Sequence, residues 1–432
     1  MKHWFKDAHF RSLLKNSGYL AVSKAIAAVA GIATLAFAGR GLGVVLFGML
    51  ILITSYAKAA SGISKFQSWQ LIVRYGGQAL AAGEHEEFKT STGFAFALDA
   101  LSGVAGMIVA VMLLPFLAQW FGIAHQYLWL AMLYCTLLPT MGAATPVGVL
   151  RSLDRFDLIS WQGTSNPIAR AILAGIAFAT GAPFEAYVAI WFVTDLGGDI
   201  FLWFLAWREL RRRGLLKGIR PTLRPDTLPG AWRFAIHVNL TSSLITAWGP
   251  IARLVVGGLL GPTGAALFRV ASSLADSAQK PSDLLARAFY PEVVRMDLST
   301  KKPWKLMLRG TALVGMVAVV AVLVLLVAGQ PLINLLFGKA FAGAYPVIMV
   351  LILAPLIGII SFPLPSMLYA LDRPDAPLKA RLIGTVAFFL IIAPLAWRFG
   401  VIGAAMAFVI GTAAMVAVLM LQLWQEYRRV RA

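Results

Sequence analysis

Long apolar stretches, separated by short polar ones, run along the whole chain. Twelve of them approach the length of about 20 residues that an α-helix needs to cross roughly 30 Å of hydrocarbon. The predicted helices, numbered 1 to 12, cover 17–38, 44–72, 94–117, 124–147, 159–181, 184–207, 232–259, 264–289, 306–328, 344–371, 380–397 and 401–424. The pattern predicts an all-α polytopic membrane protein with twelve transmembrane helices and without a separate soluble domain.

Short motifs of the first half return in the second half, each beside the matching helix boundary. The pairs are Leu42-Gly43 and Leu260-Gly261, Pro115-x5-Phe121-Gly122 and Pro331-x5-Phe337-Gly338, Leu153-Asp154-Arg155-x-Asp157 and Leu371-Asp372-Arg373-x-Asp375, and Trp207-x-Glu209-x-Arg211-Arg212 and Trp424-x-Glu426-x-Arg428-Arg429. The shift stays between 216 and 218 residues, which indicates two homologous halves. Such halves usually move against each other around a central site, so the repeat favours a transporter.

The repeat divides the chain into two six-helix bundles joined by a basic segment. We predict an N-terminal bundle over 16–207, a basic cytoplasmic linker over 208–231, a C-terminal bundle over 232–424 and a cytoplasmic tail over 425–432. Residues 1–15 interleave aromatic and basic side chains. They form either an interfacial helix under the bilayer or a simple positive flank for helix 1.

Composition and charge support a membrane location and set the predicted orientation. The chain is 59% hydrophobic and 13% charged, which is more apolar surface than one soluble core can hide. Most of its 38 Lys and Arg residues lie at the termini and after even-numbered helices, whereas the loops after odd-numbered helices hold only Arg40, Lys339 and Arg398. Both termini are therefore predicted to be cytoplasmic.

The net charge of +19 follows mainly from this topology. Anionic membrane lipids are the expected partners of the basic loops. Basic and aromatic residues do not alternate as they do on nucleic-acid-binding surfaces, so no nucleic acid is expected.

Seven cations lie at least five residues from either end of a predicted helix. They are Lys24, Lys58, Lys65, Arg170, Arg253, Arg269 and Lys280. Facing all of them to lipid would cost about 20 kcal/mol at roughly 3 kcal/mol each, which exceeds a typical folding stability of about 5–15 kcal/mol. Most must therefore face water, a partner or the bundle interior.

Helical spacing groups these cations on polar faces of helices 1, 2, 7 and 8. On helix 2, the side chains that share one face are Ser55, Lys58, Ser61, Lys65 and Ser68. We predict a water-filled, V-shaped, positive cavity between residues 1–207 and 232–424 that binds an anionic group such as a diphosphate. Its predicted cations are Lys24, Lys58, Lys65, Arg253, Arg269 and Lys280. The alternative is that cations near helix ends extend to the interface.

Four of the acids inside the predicted helices are candidates for pairing with a cation or for proton coupling. Asp195 and Asp199 lie one turn apart on helix 6 and could pair with Arg170, in a network that is either structural or functional. Asp99 on helix 3 and Asp276 on helix 8 could each carry a coupling proton or pair with a cation.

The repeated Leu-Asp-Arg-x-Asp loops are short predicted cytoplasmic turns before helices 5 and 11. Their simplest role is local, with an Asp capping the next helix and the Arg holding topology. Gating contacts between the halves are the alternative.

The region from Asn16 to Gly48 resembles polysaccharide-type flippases of the multidrug, oligosaccharidyl-lipid and polysaccharide (MOP) exporter superfamily. A polar first helix leads into Gly39-Arg40-Gly41-Leu42-Gly43-x3-Phe47-Gly48, which is similar to the family turn Ala-Arg-x-Leu-Gly-x3-Phe/Tyr-Gly. The two sets of six helices extend the resemblance over the whole chain, and they imply a fold like that of the MATE transporters.

The resemblance implies export of undecaprenyl-diphosphate-linked oligosaccharide units across a bacterial inner membrane by alternating access, as in O-antigen and lipopolysaccharide synthesis. A polysaccharide polymerase is a possible partner. A drug or cation exporter of the same fold would present acidic and aromatic groups to its cargo. A lipid II flippase would be expected to add two more helices.

Two further classes fit less well. A major facilitator carrier has a Gly- and Arg-rich loop between helices 2 and 3, where this chain has 76–88. An enzyme acting on lipid-linked sugars would need a sizeable outer loop with catalytic groups, but the largest predicted outer loop, 329–343, has Lys339 as its only ionisable side chain. We find no metal, nucleophile or phosphate-loop motif, so neither catalysis nor a cofactor is predicted.

Overall fold

A computed structural model describes the backbone of residues 8–294, 301–371, 373 and 375–431. Every regular element in these ranges is a helix. Six helical segments of the described chain are long and apolar enough to cross a membrane. Two of them, Val22–Ser64 with 43 residues and Ala376–Arg428 with 53 residues, are long enough for two crossings each.

The helices account for all twelve predicted spans. The α-helices are Ala8–Ser64, Trp69–Leu71, Gly77–Ala82, His85–Leu117, Leu128–Cys135, Ala144–Ser152, Phe156–Ala179, Phe184–Arg212, Ala231–Val294, Lys301–Phe337, Ala344–Leu351, Leu353–Ser361, Pro363–Ala370 and Ala376–Arg431. A π-helical stretch spans Ile72–Gly76, and short 3-10 helices span Gln119–Phe121, His125–Tyr127 and Lys339–Phe341. The predicted all-α architecture is confirmed.

Helices 1 and 2 follow each other without a loop, and so do helices 7 and 8. A single non-helical glycine separates each pair. Gly43 has φ 69° and ψ 176°, and Gly261 has φ 72° and ψ −177°. Only glycine adopts this backbone region readily. The repeated Leu-Gly motif therefore marks the same turn twice.

Helices 2, 4 and 10 are shorter or more broken than their apolar runs predicted. Helix 2 was expected to reach residue 72 but ends at Ser64. Helix 4 is interrupted between Cys135 and Ala144, where Gly142 has φ 83°. Helix 10 consists of three short helices. An apolar run indicates that a segment is buried or contacts lipid. Whether the helix is continuous depends on which partners its backbone N–H and carbonyl groups find.

The chain forms two compact units. The first contains Met1–Leu42 and Met49–Leu254, and the second contains Gly43–Gly48 and Val255–Ala432. Compactness thus groups the first part of helix 7 with the first unit. The boundary proposed from the repeat, at 208–231, stays a prediction about homologous halves.

Each unit has its own apolar core. In the first unit, the buried core includes Phe94, Leu150 and Leu202. In the second, it includes Met367 and Val416. The helices of each unit therefore have an apolar packing surface besides the one that faces lipid.

The predicted linker packs on the first unit. Leu215 and Leu228 belong to its core cluster. The backbone of Thr222 donates a hydrogen bond to the Gly93 carbonyl, and a Cβ on Gly93 would stand 2.0 Å from the Arg220 carbonyl oxygen. Glycine is required at that close approach, which fixes the linker against the start of helix 3.

Candidate substrate-binding and coupling site

The broken ends of helices 2 and 4 meet inside the first unit, and Lys65 joins them. Its Nζ donates hydrogen bonds to the backbone carbonyls of Pro139, at 3.1 Å, and Met141, at 2.7 Å. Carbonyls in an irregular segment have no helical partner, and leaving them unpaired away from water costs free energy. Since Lys65 is only 4% exposed, it stabilises the break and also places a cation inside the unit.

Asp99 on helix 3 holds the start of the helix that follows the break. Its Oδ2 accepts hydrogen bonds from the backbone N–H of Thr145, at 2.9 Å, and from the Thr145 hydroxyl, at 2.7 Å. Its Oδ1 is buried and has no hydrogen-bond partner among the described residues. A carboxylate at a helix N-terminus is stabilised by the backbone dipoles. The partner of Asp99 comes from another helix, and its coupling role stays a prediction.

A cavity of about 350 Å³ lies beside this break, within the first unit. Lys58, Ser61 and Lys65 of helix 2 line it, together with Gly142 and Thr246. Two of the predicted cations therefore share one cavity, and both of its ionisable lining residues are lysines. Such a surface favours an anion.

The two ends of the predicted polar face on helix 2 have other partners. Ser55 accepts a hydrogen bond of 2.9 Å from Nε of Arg253, which is half-buried on helix 7. Ser68 and Thr145 share a hydrogen bond of 3.4 Å between their hydroxyls. Arg253 thus contacts helix 2 at Ser55 and is not among the residues that line the cavity.

An ion network lies on helices 4, 5 and 6 of the same unit. Arg170 forms an ion pair with Asp195, as the sequence predicted, and donates a hydrogen bond of 2.7 Å to the Thr194 hydroxyl. The hydroxyl of Tyr134, which the sequence did not indicate, donates to the other oxygen of Asp195. The charged neighbours of Asp199 are Asp195, Lys65 and Lys58. The charges of the network are therefore close enough to Lys58 and Lys65 to interact with them.

The remaining predicted site residues lie elsewhere. Lys24 is exposed in the first unit, whereas Arg269 is half-buried and Asp276 is exposed in the second. The side chain of Lys280 lies outside the described residues. A shared site that includes these residues stays a prediction.

The Leu-Asp-Arg-x-Asp motif contacts the Trp-x-Glu-x-Arg-Arg motif of the same unit, and this happens in both units. In the first unit, Arg155 pairs with Asp157 at 2.8 Å and with Glu209 at 2.6 Å. In the second, Arg373 lies 3.8 Å from Asp375 and 2.8 Å from Glu426. We call each set an Arg clamp. Sequence reasoning gave the Leu-Asp-Arg-x-Asp loops a local role or a gating contact between the halves, and it missed these contacts within each unit, although the common shift of the two motifs was a signal for them.

The clamp of the first unit is the tighter one. The hydrogen bonds from Arg155 hold the pKa of Asp157 below its usual value. Burial opposes the ionisation of Glu209, but hydrogen bonds and charges from Arg213 and Arg155 outweigh it and lower the pKa of Glu209. Both carboxylates therefore stay charged at neutral pH.

Comparison with known proteins identifies the family. A family described as polysaccharide biosynthesis protein matches residues 13–296, which is more than half of the chain. The chain belongs to the polysaccharide biosynthesis protein family. This member is also 39% identical over 350 residues to "Inner membrane protein YghQ" of Escherichia coli (strain K12), which covers 81% of this chain and 99% of that protein.

Solved structures show the fold of this polysaccharide biosynthesis family member. An inward-facing multidrug resistance MATE family transporter of the MOP superfamily matches with a TM-score of 0.75 and 16% identity, over 95% of both chains. The lipid II flippase MurJ, in an inward closed conformation, matches with a TM-score of 0.69 and 13% identity, over 95% of this chain and 89% of that chain. The predicted MATE-like fold of twelve helices is confirmed.

Proposed function

We propose that the chain is a flippase that moves undecaprenyl-diphosphate-linked oligosaccharide units from the inner to the outer leaflet of a bacterial inner membrane. The observation that carries the proposal is the cavity of about 350 Å³, whose two ionisable lining residues are Lys58 and Lys65, in a member of the polysaccharide biosynthesis family. The inner membrane location rests on the similarity to an inner membrane protein.

The chemistry of the cargo fits this cavity. A diphosphate is the charged part of a lipid-linked sugar, and two ammonium groups can neutralise it without the strict geometry that an Arg fork imposes. A volume in the range of small-ligand pockets suits the diphosphate, while the sugars extend beyond it. Alternating access of two homologous halves would then carry the cargo across, with the polymerase that uses it as a possible partner.

A drug or cation exporter is the second candidate. It is favoured by three acids in the interior of the first unit, Asp99, Asp195 and Asp199, and by the fold shared with a MATE transporter. However, Asp99 is bonded to Thr145 and Asp195 to Arg170, and no acid lines the lysine cavity. The lipid II flippase alternative shares the diphosphate of the cargo, so this cavity does not separate it from the first candidate.

The experiment is a flipping assay in proteoliposomes with a fluorescent lipid-diphosphate-linked oligosaccharide. We expect Lys58→Ala to lower the rate at least tenfold, since loss of one charge-assisted contact of about 1.5–3 kcal/mol corresponds to roughly one to two decades. Lys217→Ala removes an exposed linker cation and is the matched control. Normal flipping by the Lys58, Arg253, Arg269 triple alanine variant would sink the diphosphate proposal, and export of a cationic dye would favour the second candidate.

Proton coupling is tested in the same vesicles. Asp99 and Asp276 are the proposed coupling groups, and Asp99 is the stronger candidate because one of its oxygens has no hydrogen bond within the described chain. Flipping by the parent should rise with an imposed pH gradient, and Asp99→Asn should not respond. Equal rates with and without the gradient, in both proteins, would leave consumption of the product as the driving force.

A further inference from the structure

A second groove lies on the first unit, away from the lysine cavity. It encloses about 800 Å³ between helices 1, 5 and 6. Asp157, in the first turn of helix 5, and Arg208, beyond the apolar run of helix 6, stand at one end. Trp161 lies on its rim and is 69% exposed. The groove therefore opens to the membrane near the ends of helices 5 and 6 that are predicted to be cytoplasmic.

One wall of the groove is made of hydroxyl groups. Ser23 donates a hydrogen bond of 2.9 Å to the backbone carbonyl of Ser160, and Thr164 donates to the Ser23 hydroxyl at 2.9 Å. Ser165 extends this wall. These bonds join helix 1 to helix 5 and fix the positions of the hydroxyls along the groove.

The hydroxyl of Ser160 has no partner within the described chain. Ser160 is only 7% exposed, it lines the groove, and its Oγ makes no hydrogen bond. Leaving a buried hydroxyl unpaired costs about 1–3 kcal/mol. The Ser160 Oγ is nearly inaccessible as placed, but rotation about its side-chain bond toward the groove would let a ligand supply the missing hydrogen bond.

The other wall is apolar. Ile168, Phe201 and Phe204 line it, and none of these side chains is ionisable or hydrogen-bonding. Burying a hydrocarbon chain there stabilises binding by about 0.8 kcal/mol for each CH₂ group that leaves water. The groove is therefore polar on one side and apolar on the other, which matches a lipid molecule.

The charged residues at the end of the groove determine which lipid headgroup it can bind. Arg208 is exposed and has no ion pair within the described chain, whereas Asp157 is already paired with Arg155. One available guanidinium matches one phosphate, which it binds with a two-pronged hydrogen bond. A diphosphate would bring more negative charge than this single cation balances, beside a carboxylate.

We propose that this groove binds an anionic glycerophospholipid with a hydroxylated headgroup, of the phosphatidylglycerol class. Arg208 binds the phosphate, the hydroxyl wall with Ser160 binds the headgroup hydroxyls, and one acyl chain lies on Ile168, Phe201 and Phe204. The site is separate from the cargo cavity, and it stands whether or not the cargo is a lipid-linked sugar.

The test is lipid binding to the full-length protein, measured by native mass spectrometry in detergent. The probes are phosphatidylglycerol, phosphatidylethanolamine and free glycerol phosphate. We expect the parent to retain phosphatidylglycerol about tenfold more tightly than phosphatidylethanolamine, which is about 1.4 kcal/mol. Free glycerol phosphate should not compete, because it lacks the chain that the apolar wall binds.

Two variants and one control decide the assignment. Arg208→Gln should abolish the preference for phosphatidylglycerol, whereas Arg211→Gln removes an equal charge one turn along the same helix, outside the groove, and should keep it. Ser160→Ala should weaken phosphatidylglycerol binding several-fold and leave phosphatidylethanolamine unchanged.

Three results would overturn the proposal. The first is equal loss with Arg208→Gln and Arg211→Gln, which would indicate a diffuse basic surface. The second is unchanged binding by Ser160→Ala. The third is effective competition by free glycerol phosphate, which would indicate an anion site without a lipid.

Discussion

The interiors of the two units can be compared through the shift of 217 residues that relates the repeated motifs. Tyr134 and Asp199, in the interior of the first unit, correspond to Leu351 and Val416 in the second. Both of these counterparts are buried and apolar. Asp195, which binds Arg170, corresponds in the same way to Thr412, whose hydroxyl bonds only to a carbonyl of its own helix in the described structure. The interiors of the two units are therefore chemically different.

The ends of the helices, in contrast, are similar in the two halves of the chain. Helices 1 and 2, like helices 7 and 8, are separated by a glycine break with nearly the same backbone angles, and each unit has an Arg clamp built from the same two motifs. Features that set the path of the chain recur, whereas the network of Arg170, Asp195 and Tyr134 does not, since the positions shifted by 217 residues are Ala387, Thr412 and Leu351. Burying charge is costly, and whether this network is structural or functional stays open, as it was from the sequence.

The largest expected effect comes from breaking the ion network of the first unit. Arg170→Met leaves the carboxylate of Asp195 buried without its cation, which typically costs about 3–5 kcal/mol. The counterpart change Thr412→Val should cost less than about 1 kcal/mol, because that hydroxyl only bonds to its own helix. Thermal unfolding of the purified protein, followed by tryptophan fluorescence, measures both. Equal losses in the two variants would remove the contrast between the interiors.

The two Arg clamps should differ in strength. Glu209 has a nearly buried side chain that is bonded to Arg155 and Arg213, so Glu209→Gln should cost about 2–3 kcal/mol. Glu426→Gln should cost about 0–1 kcal/mol, because its partner Arg373 is 41% exposed and the pair is screened. The same unfolding assay applies, and a greater loss for Glu426→Gln would contradict the ranking.

The glycine breaks should respond equally. Gly43→Ala and Gly261→Ala force an L-residue into a region that costs about 1–3 kcal/mol. An added Cβ meets nothing within 4 Å at either position, so the penalty is one of backbone conformation alone. Gly31→Ala is the control, since it lies inside a helix with open space around it and should stabilise by up to about 1 kcal/mol. Unequal effects of Gly43→Ala and Gly261→Ala would show that the two breaks are not equivalent.

The smallest effect concerns pH. Folding lowers the pKa values of Asp157 and Glu209. Their stabilising contribution is therefore present at pH values above the pKa values of the unfolded chain, about 4, and it is lost as the pH falls through the pKa values of the folded protein. The unfolding temperature of Glu209→Gln should therefore fall less steeply in acid than that of the parent. Asp375→Asn should change the curve less, because Lys379 and Arg373 lower the pKa of Asp375 but these exposed pairs are screened by solvent. Parallel curves for the parent and Glu209→Gln would contradict the argument.

Local patterns along the chain were enough for the positions of the helices, the Leu-Gly turns and the repeat, but not for the breaks in helices 2, 4 and 10. Apolar length predicted the twelve spans, and the Leu42-Gly43 motif predicted a turn that the backbone of Gly43 adopts. Charges at helical spacing on helix 2 predicted that Lys58 and Lys65 share a polar face, and both line one cavity. These features depend on residues close in sequence, so their periodicity carries the information.

Contacts between distant residues needed the folded chain. Nothing in the sequence near Lys65 indicates that it bonds to the carbonyls of Pro139 and Met141, because those carbonyls become acceptors only once helix 4 is broken. The same holds for the bond between Asp99 and Thr145, which requires helices 3 and 4 to be packed together. Every backbone carries the same polar groups, so the choice of which of them stay unpaired, and which side chain satisfies them, is made by packing alone.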